Sequence, residues 1–130
     1  MAITAAVALE QKLANKYLRK IDNARSRKID FSLTFAEYKR IMLRKRCAYT
    51  GVILTMHKGG QPSGNDVTLE RIDNEQGYHF HNCIAVSYTA NSIKSVFENP
   101  NTPIGVAEGI KMFAAIDRLQ KQVKKNTKKA

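Results

Sequence analysis

The fold of this chain is decided by the stretch Leu69-Glu70-Arg71-Ile72-Asp73-Asn74-Glu75-Gln76-Gly77-Tyr78, which is followed by Asn82 and, nine positions later, by Asn91. β-branched and aromatic residues predict one strand over Val67–Asp73 and a second over Tyr78–Ser87, with turn formers between them. A helix is expected to follow from about residue 88 to residue 97. The stretch therefore predicts an α+β protein whose core is a β-hairpin plus a helix.

The rest of the chain predicts helices on both sides of this core. Apolar residues at a spacing of four predict a basic amphipathic helix from Thr4 to about residue 22. Thr34 and Glu37 have the spacing of a capping box, for a helix that should reach about residue 46. Thr102 and Pro103 offer an N-cap and a first-turn proline for a last helix. We expect a single domain over residues 1–130, with a basic helical arm over 1–46, a ββα core over 47–97, a C-terminal helix over 102–124 and a basic tail over 124–130.

Positive charge dominates the sequence and is unevenly distributed. The 130 residues carry 22 Lys and Arg against 11 Asp and Glu, a formal net charge of +11. Residues 1–50 and 101–130 have net charges of +8 and +5, whereas residues 51–100 have −2. Such a field attracts polyanions, and an acidic centre between basic arms suits a metal-dependent nucleic-acid enzyme. The alternative is a basic protein whose centre is simply its core.

The two cysteines and the hydropathy pattern exclude several classes of protein. Cys47 and Cys83 supply neither a disulfide framework nor the four ligands of a structural zinc site, so we expect two buried thiols. No apolar run approaches the roughly 20 residues that span a membrane, and no cleavable leader is visible. The chain is expected to be cytoplasmic.

The hairpin places three chemically useful groups near one another if its turn is centred between Glu75 and Gln76. The residue numbers of facing residues then sum to 151, so that Glu70 faces His81 and shares one sheet face with His79. A carboxylate and an imidazole in that arrangement could bind a cation together or form a general-base pair. A slip of one residue would move all these groups to the other face.

These residues resemble the HNH, or ββα-metal, endonucleases, in particular their phage-borne branch. The resemblance covers about residues 34–95 and rests on the order and spacing of five elements: Cys47-Ala48-Tyr49-Thr50-Gly51, Leu69-Glu70-Arg71-Ile72-Asp73, Gly77-Tyr78, Asn82, and Asn91 with Lys94. It implies a nuclease that hydrolyses phosphodiester bonds in DNA, with double-stranded DNA as the partner, in a phage-infected host cell.

The resemblance also implies roles for individual residues. Glu70 and Asn91 would bind a single divalent cation, Mg²⁺ or Mn²⁺, because both offer hard oxygen ligands. Asn82 would be the middle asparagine of the catalytic motif, whose amide braces the loop between the strands. Phosphate contacts are expected from Lys94 and from the basic residues of the N-terminal helices, namely Arg25, Arg27, Lys28, Lys39, Arg40, Arg44 and Lys45.

The chain departs from the family at the positions of the structural zinc. Many members carry two Cys-x-x-Cys knuckles, and the aligned positions here are Cys47, Thr50, Ser87 and Ala90. Only one ligand remains. A structural zinc is therefore not expected, and packing of the terminal helices must replace the stability that it would provide.

A second departure bears on catalysis. Arg71 stands where the family has its general-base histidine, and a guanidinium cannot accept a proton from water at neutral pH. Arg71 could instead stabilise the transition-state phosphate, with His81 or His79, or less readily His57, as the base. Alternatively, the scaffold has lost catalysis and only binds DNA or RNA, or its basic surface meets an acidic protein. We expect Tyr78 and Phe80 to pack in the core or the hairpin; the alternative is that either ring stacks on a base.

Overall fold

The structure, a computed structural model, describes residues 2–129 and the side chains of residues 2–128. Within these residues it contains four α-helices and one two-stranded antiparallel sheet, which confirms the predicted α+β class. The elements are α1 (Ala5–Ser26), α2 (Phe35–Met42), β1 (Val67–Arg71), β2 (Cys83–Ser87), α3 (Tyr88–Glu98) and α4 (Val106–Lys129). A single 3₁₀ turn, Phe80–Asn82, precedes β2. The chain forms two compact units, which divide between Asn91 and Ser92.

Helix α1 is longer than the sequence predicted. It begins after Thr4, whose hydroxyl accepts a hydrogen bond from the amide of Val7 at 3.3 Å. It continues past residue 22, where the sequence predicted its end, through Ser26, because Ala24 is fully buried there. The chain leaves the helix at Lys28, which adopts the left-handed conformation with φ = 57° that glycine more often provides at such ends.

Helix α2 begins as predicted and ends earlier. Thr34 and Glu37 form the reciprocal capping box, with distances of 3.2 Å and 2.9 Å. The helix ends at Met42 rather than near residue 46, because the next residues pair with a later segment. The amide of Leu54 donates to the carbonyl of Lys45, and Arg46 forms an isolated bridge with Ile53.

The core of the first unit lies between the two N-terminal helices and one face of the sheet. Leu13 of α1 and Tyr38, Ile41 and Met42 of α2 pack with residues that alternate along both strands, namely Val67, Leu69, Cys83 and Ala85. A smaller cluster occupies the opposite face, where Val86 packs with Cys47 and Ala90. Cys47 and Cys83 are both buried free thiols, as predicted.

The hairpin register differs from the predicted one. Glu70 pairs with Ile84 and Arg71 with Cys83, so facing residues sum to 154. The cause is long-range. The buried Tyr78 bridges Phe31, its amide donates to the carbonyl of Asp30, and its carbonyl accepts from the amide of Ser32. Residues 78–82 are thereby diverted from the sheet, and the second strand starts at Cys83 rather than at Tyr78.

Gly77 allows this diversion. A Cβ atom built there would lie 2.5 Å from the carbonyl oxygen of Asp30, closer than any side chain tolerates. The segment after it can therefore approach residues 30–32 only because position 77 carries no side chain.

The second unit consists of the end of α3 and helix α4. Phe97 packs on Gly109 and meets the ring of Phe113 edge to face, with centroids 6.0 Å apart. Helix α4 begins at Val106 rather than beside Thr102, with the carboxylate of Glu108 accepting a hydrogen bond from the amide of Gly105 at 3.1 Å. It continues through Lys129, so residues 124–129, which were expected to form a basic tail after the helix, belong to the helix. No helix within residues 2–129 combines the length and the apolarity needed to cross a membrane.

Candidate metal and nucleic-acid site

Strand β1 and helix α3 bring together the two residues that the resemblance assigns to the metal. Glu70 lies near the end of β1 and is 8% exposed. The chain passes directly from β2 into α3, and two hydrogen bonds hold the start of that helix to the segment before β1: the amides of Tyr88 and Thr89 donate to the carbonyls of Asp66 and Gly64. Asn91, in the first turn of α3, is consequently held beside Glu70.

The side chains of Glu70 and Asn91 are in direct contact. With its amide nitrogen turned toward Glu70, Asn91 donates to Oε1 at 3.2 Å and to Oε2 at 3.3 Å. With its oxygen turned the same way, three oxygen atoms meet, and a cation between them would offset their repulsion. Two oxygens bound at right angles to one Mg²⁺ lie about 3.0 Å apart, given metal–oxygen distances near 2.1 Å. The pair therefore fits a small, hard cation.

The pair is incomplete as a protein-only metal site. Among residues 2–129, no three His, Cys, Asp or Glu side chains gather in a way that could hold a metal ion. Mg²⁺ is commonly bound by one or two protein oxygens, with water and substrate phosphate completing its shell. A carboxylate with one amide oxygen is a ligand set of that kind.

Asn82 holds the loop between the strands through its amide. Its Oδ1 accepts from the amide of Asp73 at 2.9 Å, and its Nδ2 donates to the carbonyls of Asp73 and Gly77, each at 3.0 Å. The side chain is 4% exposed. Asn82 thus fixes the shape of the hairpin loop.

Arg71 is also engaged by the hairpin loop. Its Nη1 donates to the carbonyls of Asn74 and Gln76 at 2.9 Å and 3.0 Å, and its guanidinium lies 5.1 Å from the centre of the Tyr78 ring. These contacts hold the guanidinium over the loop. The structure thus gives Arg71 a role in loop shape that the spacing of the motif did not indicate.

The predicted register required the hairpin histidines to lie across the sheet from Glu70, but the structure places them elsewhere. Ile84 occupies that position, and both histidines precede β2. The rings of His79 and His81 stack in parallel, with centroids 5.7 Å apart. Nδ1 of His79 lies 2.6 Å from the hydroxyl of Ser32. The prediction that Glu70 faces His81 and shares one sheet face with His79 is therefore wrong. His57, in the loop, has Nε2 at 2.9 Å from the carbonyl of Gly60.

The four positions that align with zinc ligands lie close together. The amide of Ser87 donates to the sulfur of Cys47 at 3.3 Å, and the hydroxyl of Ser87 accepts from the amide of Ala90 at 3.1 Å. Ala90 packs with Cys47 in the small cluster. One thiol, two hydroxyls and a methyl group do not form a zinc site.

Hydrogen bonds at this cluster alter the acidity of Cys47. Burial by itself raises the pKa of the thiol, but hydrogen bonds from the Thr50 side chain and from the backbone of Ser87, Thr50 and Tyr49 outweigh burial and lower the pKa to about 7. For Cys83, burial dominates and raises the pKa to about 11.

The residues predicted to contact phosphate fall into two groups. Several have partners of their own: Arg25 pairs with Asp22 at 3.5 Å, Lys39 with Glu10 at 2.7 Å, Lys94 with Glu98 at 2.7 Å, and Arg27 contacts Asn23 at 3.5 Å. Lys28 and Lys45 are exposed. Arg40 and Arg44 are exposed as well, and both line one cleft together with Arg46. The charge pattern alone did not indicate that Arg46 joins Arg40 and Arg44 in this cleft, because the position of Arg46 depends on its pairing with Ile53.

Comparison with known proteins gives a phage relative. The chain is 36% identical over 92 residues to a protein of Enterobacteria phage T4 described as "Uncharacterized 29.0 kDa protein in dda-modA intergenic region". The match covers 65% of this chain and 36% of the phage protein, so the chain spans little more than a third of that relative's length. No family model and no solved structure matches significantly.

Proposed function

We propose that this chain is a nucleic-acid-binding protein of the HNH type, in which Glu70 and Asn91 bind one Mg²⁺ or Mn²⁺ ion and support hydrolysis of phosphodiester bonds in DNA. The observation that carries the proposal is the contact between these two side chains, at 3.2 Å and 3.3 Å. They lie on the first strand and on the helix of the order β1, β2, α3, which is the order of a ββα core. Glu70 supplies the negative charge, and Asn91 supplies a neutral oxygen.

A bound Mg²⁺ ion would polarise the scissile phosphate and stabilise the charge on the departing oxygen. The chain's own residues would orient the substrate around it. Asn82 and Arg71 keep the loop between the strands in one shape, so that β1 presents Glu70 in a constant position. Exposed arginines at the end of α2 attract the DNA backbone.

The cluster around Cys47 supports an HNH-type scaffold independently. The resemblance aligns positions 47, 50, 87 and 90 with zinc ligands, although these positions are as much as 43 residues apart in the sequence. Direct contacts join Cys47 to Ser87 and Ser87 to Ala90. Such a gathering is expected if the chain keeps the backbone of a zinc-bearing relative and has replaced the metal with hydrogen bonds and apolar contact.

A plasmid-nicking assay with Mg²⁺ or Mn²⁺ tests the proposal. Wild-type protein should nick supercoiled DNA, and Glu70→Gln, which keeps the shape of the side chain and removes its charge, should not. Glu75→Gln is the matched control, because Glu75 is an exposed acid in the hairpin loop. Equal nicking by wild type and Glu70→Gln would contradict the role of Glu70.

A second candidate is a non-catalytic DNA- or RNA-binding protein on the same scaffold. It is favoured by Arg71, which holds the hairpin loop at the position where a general base is expected, and by a register that moves His79 and His81 away from the position facing Glu70. Salt-sensitive binding without cleavage in any divalent metal would select this candidate. In that case the Glu70–Asn91 pair serves only to hold β1 against α3.

A further inference from the structure

The end of α2 and the outer edge of β2 enclose a cleft whose arginines can attract DNA, but whose exposed aromatic ring neither proposed function uses. Its volume is about 420 Å³, within the range of roughly 300–1,000 Å³ that is usual for ligand sites. We call it the arginine cleft and define it by Arg40, Arg44, Arg46, Phe80, His81 and Ile84. All of these residues belong to the first compact unit.

The charge of the arginine cleft is one-sided. Three arginines and a histidine line it, and no acidic residue does. In the described part of the chain, no carboxylate forms a salt bridge with Arg40, Arg44 or Arg46. Arg46 donates to the carbonyl of Gly51 at 3.0 Å, which orients one edge of its guanidinium and leaves other donors available. The cleft therefore suits an anionic ligand.

The cleft also has an apolar side. Ile41, Ile72 and Ile84 contribute to its wall, and Phe80 is 41% exposed although the sequence predicted that it would be packed. The guanidinium of Arg40 lies 5.7 Å from the centre of the Phe80 ring. An exposed aromatic ring beside arginines is the combination that binds an unpaired base by stacking and the adjoining phosphate by charge.

We propose that the arginine cleft binds an unpaired nucleotide of a single-stranded DNA segment, with the base stacked on Phe80 and the phosphates held by Arg40, Arg44 and Arg46. A base inside a duplex is stacked on its neighbours and cannot offer its face to Phe80. The protein therefore prefers single-stranded DNA to duplex DNA. This inference rests on the proposed nucleic-acid binding and does not depend on the metal pair.

Fluorescence anisotropy in EDTA tests the inference with the full chain. The probes are a fluorescein-labelled oligothymidylate, which cannot pair with itself, and a labelled duplex of the same length. Wild type should bind the single strand more tightly. Phe80→Ala should weaken that binding about fivefold or more and leave duplex binding unchanged, and Phe80→Tyr should retain it.

Arg44→Gln should weaken single-strand binding. It should also reduce the slope of the logarithm of the binding constant against the logarithm of salt concentration by the amount expected for about one phosphate contact. Lys58→Gln removes the same charge from an exposed loop residue outside the cleft and should have little effect. Single-strand binding that is the same in Phe80→Ala and wild type, or equal losses in Arg44→Gln and Lys58→Gln, would overturn the inference.

The two proposals fail in different ways. A protein that nicks DNA but binds single strands independently of Phe80 has the metal site without the cleft. A protein that binds through Phe80 but never cleaves DNA has the cleft without the nuclease.

Discussion

The side chains of Glu70 and Asn91 meet although 21 positions separate them in the sequence, with the amide of Asn91 3.2 Å and 3.3 Å from the two carboxylate oxygens. The neighbourhood is poorly hydrated, since Glu70 is 8% exposed. With its nitrogen turned toward Glu70, the side-chain amide of Asn91 donates to the carboxylate. In a metal-bound protein the same amide would offer its oxygen.

This relationship predicts the behaviour of Asn91→Asp. Two carboxylates at this distance repel each other, so the variant should lose about 1–3 kcal/mol of unfolding free energy in EDTA. Mg²⁺ should restore much of that loss and raise Tm more than it does for wild type, because a second negative ligand strengthens cation binding. Thermal denaturation with and without Mg²⁺ measures both effects. Asn74→Asp, in the exposed loop, is the control, and an equal Mg²⁺ effect in both variants would argue against a cation site.

Asn82 should be among the least replaceable polar residues of the chain. Asn82→Ala removes three hydrogen bonds and leaves the amide of Asp73 and the carbonyls of Asp73 and Gly77 without that partner. We expect a loss of about 2–4 kcal/mol in unfolding free energy by urea denaturation. Asn74→Ala, on the same loop with an exposed side chain, should change stability by less than about 0.5 kcal/mol. Equal losses in the two variants would show that the three hydrogen bonds of Asn82 contribute little to stability.

Cys47 should make stability depend on pH. Its pKa is about 7 in the folded protein against an ordinary value of 9.0, so between these values the unfolded chain holds a proton that the folded chain has released. The stability that Cys47 contributes is therefore fully present above pH 9 and is lost as the pH falls to about 7. The difference in unfolding free energy between wild type and Cys47→Ala should grow by an amount on the order of 2 kcal/mol from pH 7 to pH 9. Urea denaturation at both pH values checks this, and a difference that is constant with pH would contradict it.

The positions around Cys47 predict that a zinc site can be rebuilt. The variant that combines Thr50→Cys, Ser87→Cys and Ala90→Cys would place four thiolates where Cys47 contacts Ser87 and packs with Ala90. We expect one Zn²⁺ per chain and a Tm that falls when a chelator removes the metal. Metal analysis after gel filtration measures the ratio. The matched control carries the same three substitutions with Cys47→Ser, which should weaken zinc binding strongly; similar binding by both proteins would mean that position 47 is not a ligand.

Parts of the candidate site followed from local spacing, whereas others depended on distant contacts. The contact between Glu70 and Asn91 depends on elements that are close in the sequence, because β2 runs directly into α3 and thereby places the first turn of the helix near β1, the strand that pairs with β2. The pairing of Glu70 with a histidine failed, because it assumed a hairpin closed by its own turn. Residues 30–32, which are 46 or more positions from Tyr78, take up the backbone of Tyr78 instead.

The sequence by itself determined the α+β class, the capping box at Thr34, the two buried thiols and the helix that follows the second strand. The class, the capping box and the helix depend on neighbouring residues, through hydrogen bonds three positions apart or through the period of apolar side chains, whereas the buried thiols follow from the presence of only two cysteines. Only the tertiary structure decided the register, the use of Arg71 by the hairpin loop, and the gathering of Arg40, Arg44 and Arg46 around Phe80. These features depend on how segments pack together. Residues 30–32 take up the backbone of Tyr78, and the pairing of residues 45–47 with residues 52–54 positions Arg46. The period of apolar residues indicates which side of an element is buried but does not specify the segment that covers it.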